Sequence, residues 1–161
     1  MLEIKSESSS NCLAGAKMNE HRLNGLLKNV SNYQGSFAID ELDQIKLSHQ
    51  TFFVVNLDER KSKGNHWIGI AVYLKTVYIC DTLGGLLPDD RQPIEWIYFL
   101  KNLLTTRKLV ITKQLSDKGL CGLYAVSFIK IMSQTNNFCD FISLFSSDLS
   151  TNDTVVKFLN K

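Results

Sequence analysis

Two apolar runs, WIGIAVYL at 67–74 and VYIC at 77–80, are joined by only two residues. Their β-branched and aromatic residues are typical of strands, and so short a connection places the two runs side by side as an antiparallel pair. Further strands are predicted at TFFVVNL, 51–57, and at KLVITKQL, 108–115. We therefore expect a sheet with the 67–80 pair at its centre.

Apolar residues at helical spacing predict several helices around these strands. The run LYAVSFIKIM, which follows Cys121, is apolar almost all round, as in a buried central helix. The first helix, about 18–30, would have four apolar residues on one face: Leu23, Leu26, Leu27 and Val30. Others are predicted at about 94–104, 137–146 and 151–160. Because strands and helices mix without strict alternation, we expect an α+β fold.

Composition agrees with one folded unit. The chain has 161 residues, 44% of them hydrophobic, and only two prolines. It is long enough to bury a hydrophobic core and too rich in aromatic residues for a disordered chain. We expect a single domain over 1–161, with the Ser-rich segment 1–17 loosely ordered.

The sequence also indicates where the protein works. No apolar run approaches the roughly 18 residues that a membrane span needs. The start, MLEIKSESSSN, is polar and partly acidic, which argues against a secretory signal. We therefore expect an intracellular protein without a membrane partner, and we expect a monomer.

The cysteines predict neither a disulfide framework nor a metal site. The four of them form no C-x-x-C pair and lie far apart, at Cys12, Cys80, Cys121 and Cys139. Only three histidines accompany them, so a zinc site is not indicated either. Free thiols, no metal and no bound cofactor are the expectation.

A histidine and an acid lie at the outer ends of the predicted strand pair. His66 opens the first strand and Asp81 follows the second, so both side chains would lie at one end of the sheet. Direct opposition requires a turn centred between Tyr73 and Leu74. Their Cβ atoms would then be about 4.5–5.5 Å apart, and the carboxylate could accept the Nδ1 proton of the imidazole.

Cys121 is placed where a thiol can become a nucleophile. Unpaired N–H groups and the positive end of the dipole at a helix start favour a thiolate, and a nearby imidazolium would stabilise it further. Gly122 would leave the approach to the sulfur uncrowded. The N–H of Cys121 and the amide of Gln114, seven positions earlier at the end of the preceding strand, could bind an oxyanion.

Each of these residues also has a simpler explanation. A cysteine heading an apolar helix is usually a small core residue, and Asp81 could simply begin a turn. Trp67 could shield the contact between His66 and Asp81 from water or could be ordinary core packing. A catalytically silent interaction domain is therefore one alternative. The occurrence of all the catalytic residue types at element edges favours an enzyme.

The motifs GNHWIGIAVY, VYICDTLGG and Q-x6-CGLYAVSFI resemble those of the adenovirus-type cysteine proteases (adenain) and, more distantly, the Ulp/SENP proteases. The resemblance implies a papain-like core with the catalytic residues in the chain order His66, Asp81, Gln114 and Cys121. Trp67 and Gly122 match the residues that follow the histidine and the cysteine. The interval of seven residues from Gln114 to Cys121 is similar to the adenovirus branch.

The resemblance further implies a viral or virophage thiol endopeptidase. Its substrates would be capsid precursors cut at small or Gly-Gly sites, in the virion and the virus factory of the host cell. An isopeptidase acting on ubiquitin-like proteins is the alternative. Asp81 stands where the adenovirus enzymes have Glu, and no cysteine lies between 82 and 120 to bond an activating peptide.

Adenovirus-type proteases are helped by viral DNA, which makes the basic residues of this chain relevant. The net charge of +2 alone indicates no nucleic-acid partner. Between 101 and 130, however, one acid, Asp117, accompanies six basic residues: Lys101, Arg107, Lys108, Lys113, Lys118 and Lys130. We expect either a solvated face or a weak, non-specific DNA-binding surface.

Overall fold

A five-stranded mixed sheet forms the centre of the computed structural model, which describes residues 18–58, 66–84 and 92–161. In chain order, which is also the order across the sheet, the strands are β1 (Tyr33–Ala38), β2 (Gln50–Asn56), β3 (Trp67–Tyr73), β4 (Thr76–Cys80) and β5 (Lys108–Ile111). The inner pairs, β2 with β3 and β3 with β4, are antiparallel, whereas the outer two pairs are parallel. The predicted central position of β3 and β4 is confirmed.

Five α-helices and one 3₁₀ helix accompany the sheet in the described ranges. They are α1 (Glu20–Leu27), the 3₁₀ helix (Ile39–Gln44), α2 (Ile94–Leu104), α3 (Cys121–Thr135), α4 (Phe138–Ile142) and α5 (Leu149–Leu159). The predicted α+β class and the late helix beginning at Cys121 are confirmed. Across the described parts of the chain, no helix is both long and apolar enough to cross a membrane.

Two hydrophobic cores lie on opposite faces of the sheet. Successive side chains of a strand point to opposite faces, so Phe52 and Val54 enter one core while Phe53 and Val55 enter the other. The first core contains much of α3, together with residues of α1, α4 and α5. The second contains α2 and the 3₁₀ helix. The helix of Cys121 thus packs on a sheet that is covered on both faces.

A glycine allows α3 to approach β3 closely. A Cβ atom at Gly69 would lie 2.9 Å from Cδ1 of Phe128 and 3.2 Å from Cα of Ala125, so any larger residue would push the helix away. Gly69 follows His66 by three residues on the strand. The close contact therefore sets the distance between the helix of Cys121 and the strand that follows the histidine.

The sequence predicted most elements, with five differences, one of which is that the helix predicted at 137–146 is α4 and ends at Ile142. It missed β1 and the 3₁₀ helix. The first helix is shorter than predicted: the side chain of Asn19 caps its start, accepting from the N–H of Arg22 at 2.8 Å, and the helix ends at Leu27 rather than at 30. Strand β5 ends at Ile111 rather than at 115. The polar turn at 58–65, the loop at 84–93 and the start at 1–17 lie wholly or largely outside the described residues.

Candidate active site

His66 and Asp81 are hydrogen-bonded at the end of the β3–β4 pair. Nε2 of His66 lies 2.6 Å from Oδ1 of Asp81, and the side chains are 21% and 4% exposed. The expected contact is present, but the carboxylate meets Nε2 and not Nδ1 as predicted. Nδ1 is therefore on the side of the ring that remains for another partner.

The predicted register of the two strands is also wrong. Gly69 pairs with Cys80 and Ile70 with Ile79, so the turn is centred one residue later than predicted, between Leu74 and Lys75. Asp81 consequently lies diagonal to His66 rather than directly opposite. Diagonal neighbours on one face of a sheet are still within reach of long side chains, which is how the imidazole meets the carboxylate.

Asp81 is held both at its side chain and at its main chain. The N–H of Leu83 donates to Oδ1 at 3.1 Å, which closes a short turn after the strand. On the main chain, the N–H of Asp81 donates to Oγ1 of Thr112 at 3.0 Å, and that hydroxyl donates back to the carbonyl of Asp81 at 2.9 Å. Thr112 directly follows β5, so two neighbouring strands position the acid.

The surroundings of His66 favour a protonated ring. Burial alone would lower its pKa, but hydrogen bonds to Asp81 and to Cys121, together with their charges, raise the pKa of His66 from 6.5 to about 9. Since Nε2 is occupied by Asp81, Nδ1 is the ring nitrogen left for Cys121. His66 thus lies close to both the acid and the thiol.

Cys121 receives a further donor from the sheet. The main-chain N–H of Trp67 points at its Sγ at 3.4 Å. The helix of Cys121 begins without a side-chain cap, so no side chain occupies the N–H groups of its first turn. Helices α1, α4 and α5, by contrast, begin with capping side chains: Asn19, Asn137 and Asp148. This environment suits a negatively charged sulfur.

Trp67 and Gly122 both contact Met18. The indole Nε1 of Trp67 donates to the carbonyl of Met18 at 3.0 Å, and the Trp67 side chain belongs to the first core. A Cβ atom at Gly122 would lie 3.0 Å from Cβ of Met18. Gly122 therefore accommodates Met18 beside the cysteine, a contact that the sequence did not predict. That Trp67 shields His66 and Asp81 from water stays a prediction.

Gln114 lies beside the turn that carries Asp81. Its side chain is exposed, and it follows the last residue of β5 by three positions instead of ending the strand. Gly84, at a φ of +69°, packs on its main chain, because a Cβ atom there would be 2.6 Å from N of Gln114. The carbonyl of Thr82 accepts from Leu115 at 2.9 Å and from Ser116 at 3.2 Å. The role of Gln114 toward an oxyanion stays a prediction.

The cysteines differ in their surroundings. Cys80, Cys121 and Cys139 are free thiols. Burial raises the pKa of Cys80 well above the usual value, and Cys139 is exposed. Among these three, the structure brings Cys121 together with His66. Sequence reasoning missed Thr112 and Gly84 as supports; the glycine after Asp-Thr-Leu was the only available signal for a tight turn.

The similarity of this chain to known proteins lies in its fold. No family model matches the sequence, and no curated protein does. HopZ1a in complex with IP6 is 13% identical, with a TM-score of 0.53 over 92% of this chain and 56% of its own. The ASFV pS273R protease is 19% identical, with a TM-score of 0.43 over 69% of this chain and 44% of its own.

A third solved structure is the SUMO protease Ulp1 with its catalytic cysteine oxidised to a sulfinic acid. It is 13% identical, with a TM-score of 0.46 over 94% of this chain and 82% of its own. This chain spans about half the length of the first two structures, 56% and 44%. The similarity to HopZ1a shows a fold that the two chains share over most of the present one.

Proposed function

We propose that this chain is a cysteine endopeptidase with Cys121 as its nucleophile. The observation that carries the proposal is the position of His66. Its Nε2 bonds Asp81 at 2.6 Å, and the next residue, Trp67, donates its main-chain N–H to Sγ of Cys121 at 3.4 Å, which places the thiol that begins α3 beside the histidine. A nucleophile, a base and a group that orients the base are the parts that acyl transfer through a thioester requires.

The reaction follows from these positions. Sγ of Cys121 attacks the carbonyl carbon of the scissile peptide bond, and the carbonyl oxygen becomes an oxyanion. The imidazolium of His66 then gives its proton to the leaving amine, the C–N bond breaks and a thioester remains. Neutral His66 next takes a proton from water, whose oxygen attacks the thioester and releases the acid and the thiolate. Asp81 keeps the ring oriented throughout.

Two donors are assigned to the oxyanion. The N–H of Cys121 lies at an uncapped helix start, and the main chain at Gln114 is held by Gly84 and, through the next two residues, by Thr82. Hydrogen-bond donors that are already in place stabilise the developing negative charge of the oxyanion without a reorganisation cost. Their positions therefore matter more than their number.

The substrate class proposed is a viral capsid precursor, cut at small or Gly-Gly sites in the virion or the virus factory. Support comes from the motifs around His66, Asp81 and Cys121 and from the interval of seven residues after Gln114, which are similar to those of adenovirus-type enzymes. The enzyme would act as a monomer without a metal or a bound organic cofactor.

A direct comparison of two substrates tests this proposal. We expect the purified chain to cleave Gly-Gly peptides of capsid type faster than a ubiquitin-like protein fused through its Gly-Gly tail. Mass spectrometry of the products, including those from a co-expressed capsid precursor, would locate the bond. Faster cleavage of the ubiquitin-like fusion would instead indicate an isopeptidase. No cleavage of either, by protein whose Cys121 is shown to be intact, would contradict the endopeptidase proposal.

The pH dependence of cleavage tests the assignment of His66 as proton donor. Because its pKa is raised to about 9, kcat/KM should fall on the alkaline side with an apparent pKa near that value. Asp81→Asn removes a charge that raises this pKa, so the alkaline limb should move to lower pH. Asp140→Asn, an exposed acid on α4, is the control and should leave the limb in place. An unmoved limb in Asp81→Asn would contradict the assignment.

Stimulation by DNA is proposed through the basic residues between 101 and 130. Four of these six side chains are exposed and two are partly buried. One of the latter, Arg107, already donates to the carbonyl of Tyr73 at 2.9 Å. If the others bind phosphates, the logarithm of the affinity should fall linearly with the logarithm of the salt concentration, whatever the DNA sequence. Fluorescence anisotropy with a labelled duplex measures the affinity at each salt concentration. Binding that does not depend on salt, or no binding, would mean that these basic residues only form a solvated face.

A further inference from the structure

The segment between Gln114 and Cys121 is held from the far side by the C-terminal helix. The side-chain amide of Asn152, on α5, donates to the carbonyl of Leu115 at 3.2 Å. It also donates to the carbonyl of Ser146 at 2.9 Å, and its Oδ1 accepts from the N–H of Ser146 at 2.8 Å. Asn152 is fully buried, with 0% exposure, and its amide is occupied on both sides.

The next residue of α5 makes a second connection. Tyr124, on α3, directs its hydroxyl at the carboxylate of Asp153 at 2.9 Å and at the carbonyl of Leu115 at 3.3 Å. One hydroxyl hydrogen cannot serve both acceptors fully, so the nearer carboxylate orients the hydroxyl and Leu115 receives the weaker, shared contact. Burial raises the pKa of Tyr124, followed in size by its contact with Asp153, so the hydroxyl keeps its proton.

These contacts immobilise the residue that follows Gln114. The N–H of Leu115 is bound by the carbonyl of Thr82, and its carbonyl is bound by Asn152 and Tyr124. The N–H and the carbonyl of Leu115 are thus held by different parts of the fold. Tyr124 lies one turn after Cys121 on the same helix, so the network also ties this segment to the helix of the nucleophile.

A buried carboxylate at this place is not explained by stability alone. Asp153 is only 6% exposed, and burying a carboxylate is costly even when it is hydrogen-bonded. An apolar residue of similar size would fill the same space without that cost. The arrangement is explained if the polar network has a task in placing the segment that it contacts.

We propose that Asn152 and Asp153 are positioning residues for the oxyanion-binding groups, acting through Leu115 and Tyr124. The inference rests on the proposed function, because it assigns to α5 the placement of Gln114 relative to Cys121. Neither residue touches the substrate. Displacements of about 1 Å in such a site can cost up to about 10²-fold in rate.

Variants of Asp153 and Tyr124 separate positioning from stability. Asp153→Leu fills the space but cannot accept a hydrogen bond, and Tyr124→Phe removes only the hydroxyl. We expect each to lower kcat by about 10- to 100-fold, with KM within a few-fold of wild type. Asp153→Asn keeps an acceptor oxygen and should retain most of the activity. Val156→Ala, which removes buried apolar atoms from the same helix, should lower the melting temperature but leave kcat per active site unchanged.

A double variant asks whether the effect passes through Gln114. If it does, Asp153→Leu should cost little in a Gln114→Ala background, because the group that it positions is already absent. Full additivity of the two losses, or unchanged kcat in Asp153→Leu, would overturn the proposal.

Hydrogen exchange gives a readout that does not depend on cleavage. The amides of Leu115 and Ser116 should exchange faster in Tyr124→Phe, which removes the contact with the carbonyl of Leu115, than in wild type, and Val156→Ala should not show this at matched stability. Unchanged exchange at these amides would overturn the proposal whatever the protein cleaves. If the wild-type protein cleaves no peptide but these amides still exchange faster in the variant, the proposed function is contradicted and the contact between α5 and the segment is upheld.

Discussion

Cys121→Ala is expected to abolish cleavage, lowering kcat by roughly 10⁶-fold, because removing the nucleophile of a covalent mechanism leaves only binding and oxyanion stabilisation. The fold should persist, since alanine at the start of α3 keeps the helix and the side chain is small. The measurement is product formation under single-turnover conditions, with the melting temperature of the same preparation.

A second cysteine provides the control for this variant. Cys139 is exposed on α4, so Cys139→Ala removes one thiol without touching the site and should cleave as wild type does. Equal activity of the Cys121→Ala and Cys139→Ala proteins would exclude Cys121 as the nucleophile. Cys121 would then be an ordinary small side chain of the hydrophobic core.

Gln114→Ala should lower kcat by about 10²–10³-fold with KM nearly unchanged, because its amide would meet charge that develops only in the transition state. The side chain is exposed, so the free energy of unfolding should hardly change. Steady-state kinetics separate the two constants. Lys113→Ala, also exposed and adjacent, is the matched control and should leave kcat within a few-fold.

The opposite pattern would remove Gln114 from the site. An unchanged kcat in Gln114→Ala would mean that the oxyanion is bound by main-chain donors alone. A raised KM with unchanged kcat would indicate that the side chain binds the substrate in its ground state.

Elements with strong local patterns were predicted well from the sequence. Helix α2 has the predicted bounds because its buried residues, Trp96, Leu100 and Leu103, recur at helical spacing. Strand β1 was missed because YQGSFA has little apolar alternation and contains Gly35 at a φ of +123°, next to an irregularity in its pairing with β2. Its strand conformation depends on a partner elsewhere in the chain.

The site was predicted less completely, for similar reasons. That His66, Asp81 and Cys121 lie together follows from their places at element ends. The register was wrong because no Gly, Asn or Pro marks the turn at Leu74 and Lys75.

Hydrogen bonds between residues far apart in the chain left no local pattern in the sequence. Thr112 binds the main chain of Asp81, and this contact occurs where β5 has already ended, contrary to the longer predicted strand. The contacts of α5 with Leu115 join residues far apart in sequence. The tertiary fold, and not the local sequence, brings such groups together.

Alkylation of the thiols tests the pairing of Cys121 with His66 most directly, and it needs no substrate. Brief iodoacetamide treatment at several pH values, followed by peptide mapping, reports each cysteine separately. At about pH 6 an ordinary thiol reacts slowly because little of it is thiolate. Cys121 should be labelled first there, ahead of exposed Cys139 and of Cys80, whose burial raises its pKa.

His66→Ala completes this measurement. Without the imidazolium, labelling of Cys121 should move to higher pH, whereas Cys80 and Cys139 should be labelled as before, because only the paired thiol loses its counter-charge. Equal labelling of all the cysteines at about pH 6, or labelling of Cys121 that does not respond to His66→Ala, would contradict the account.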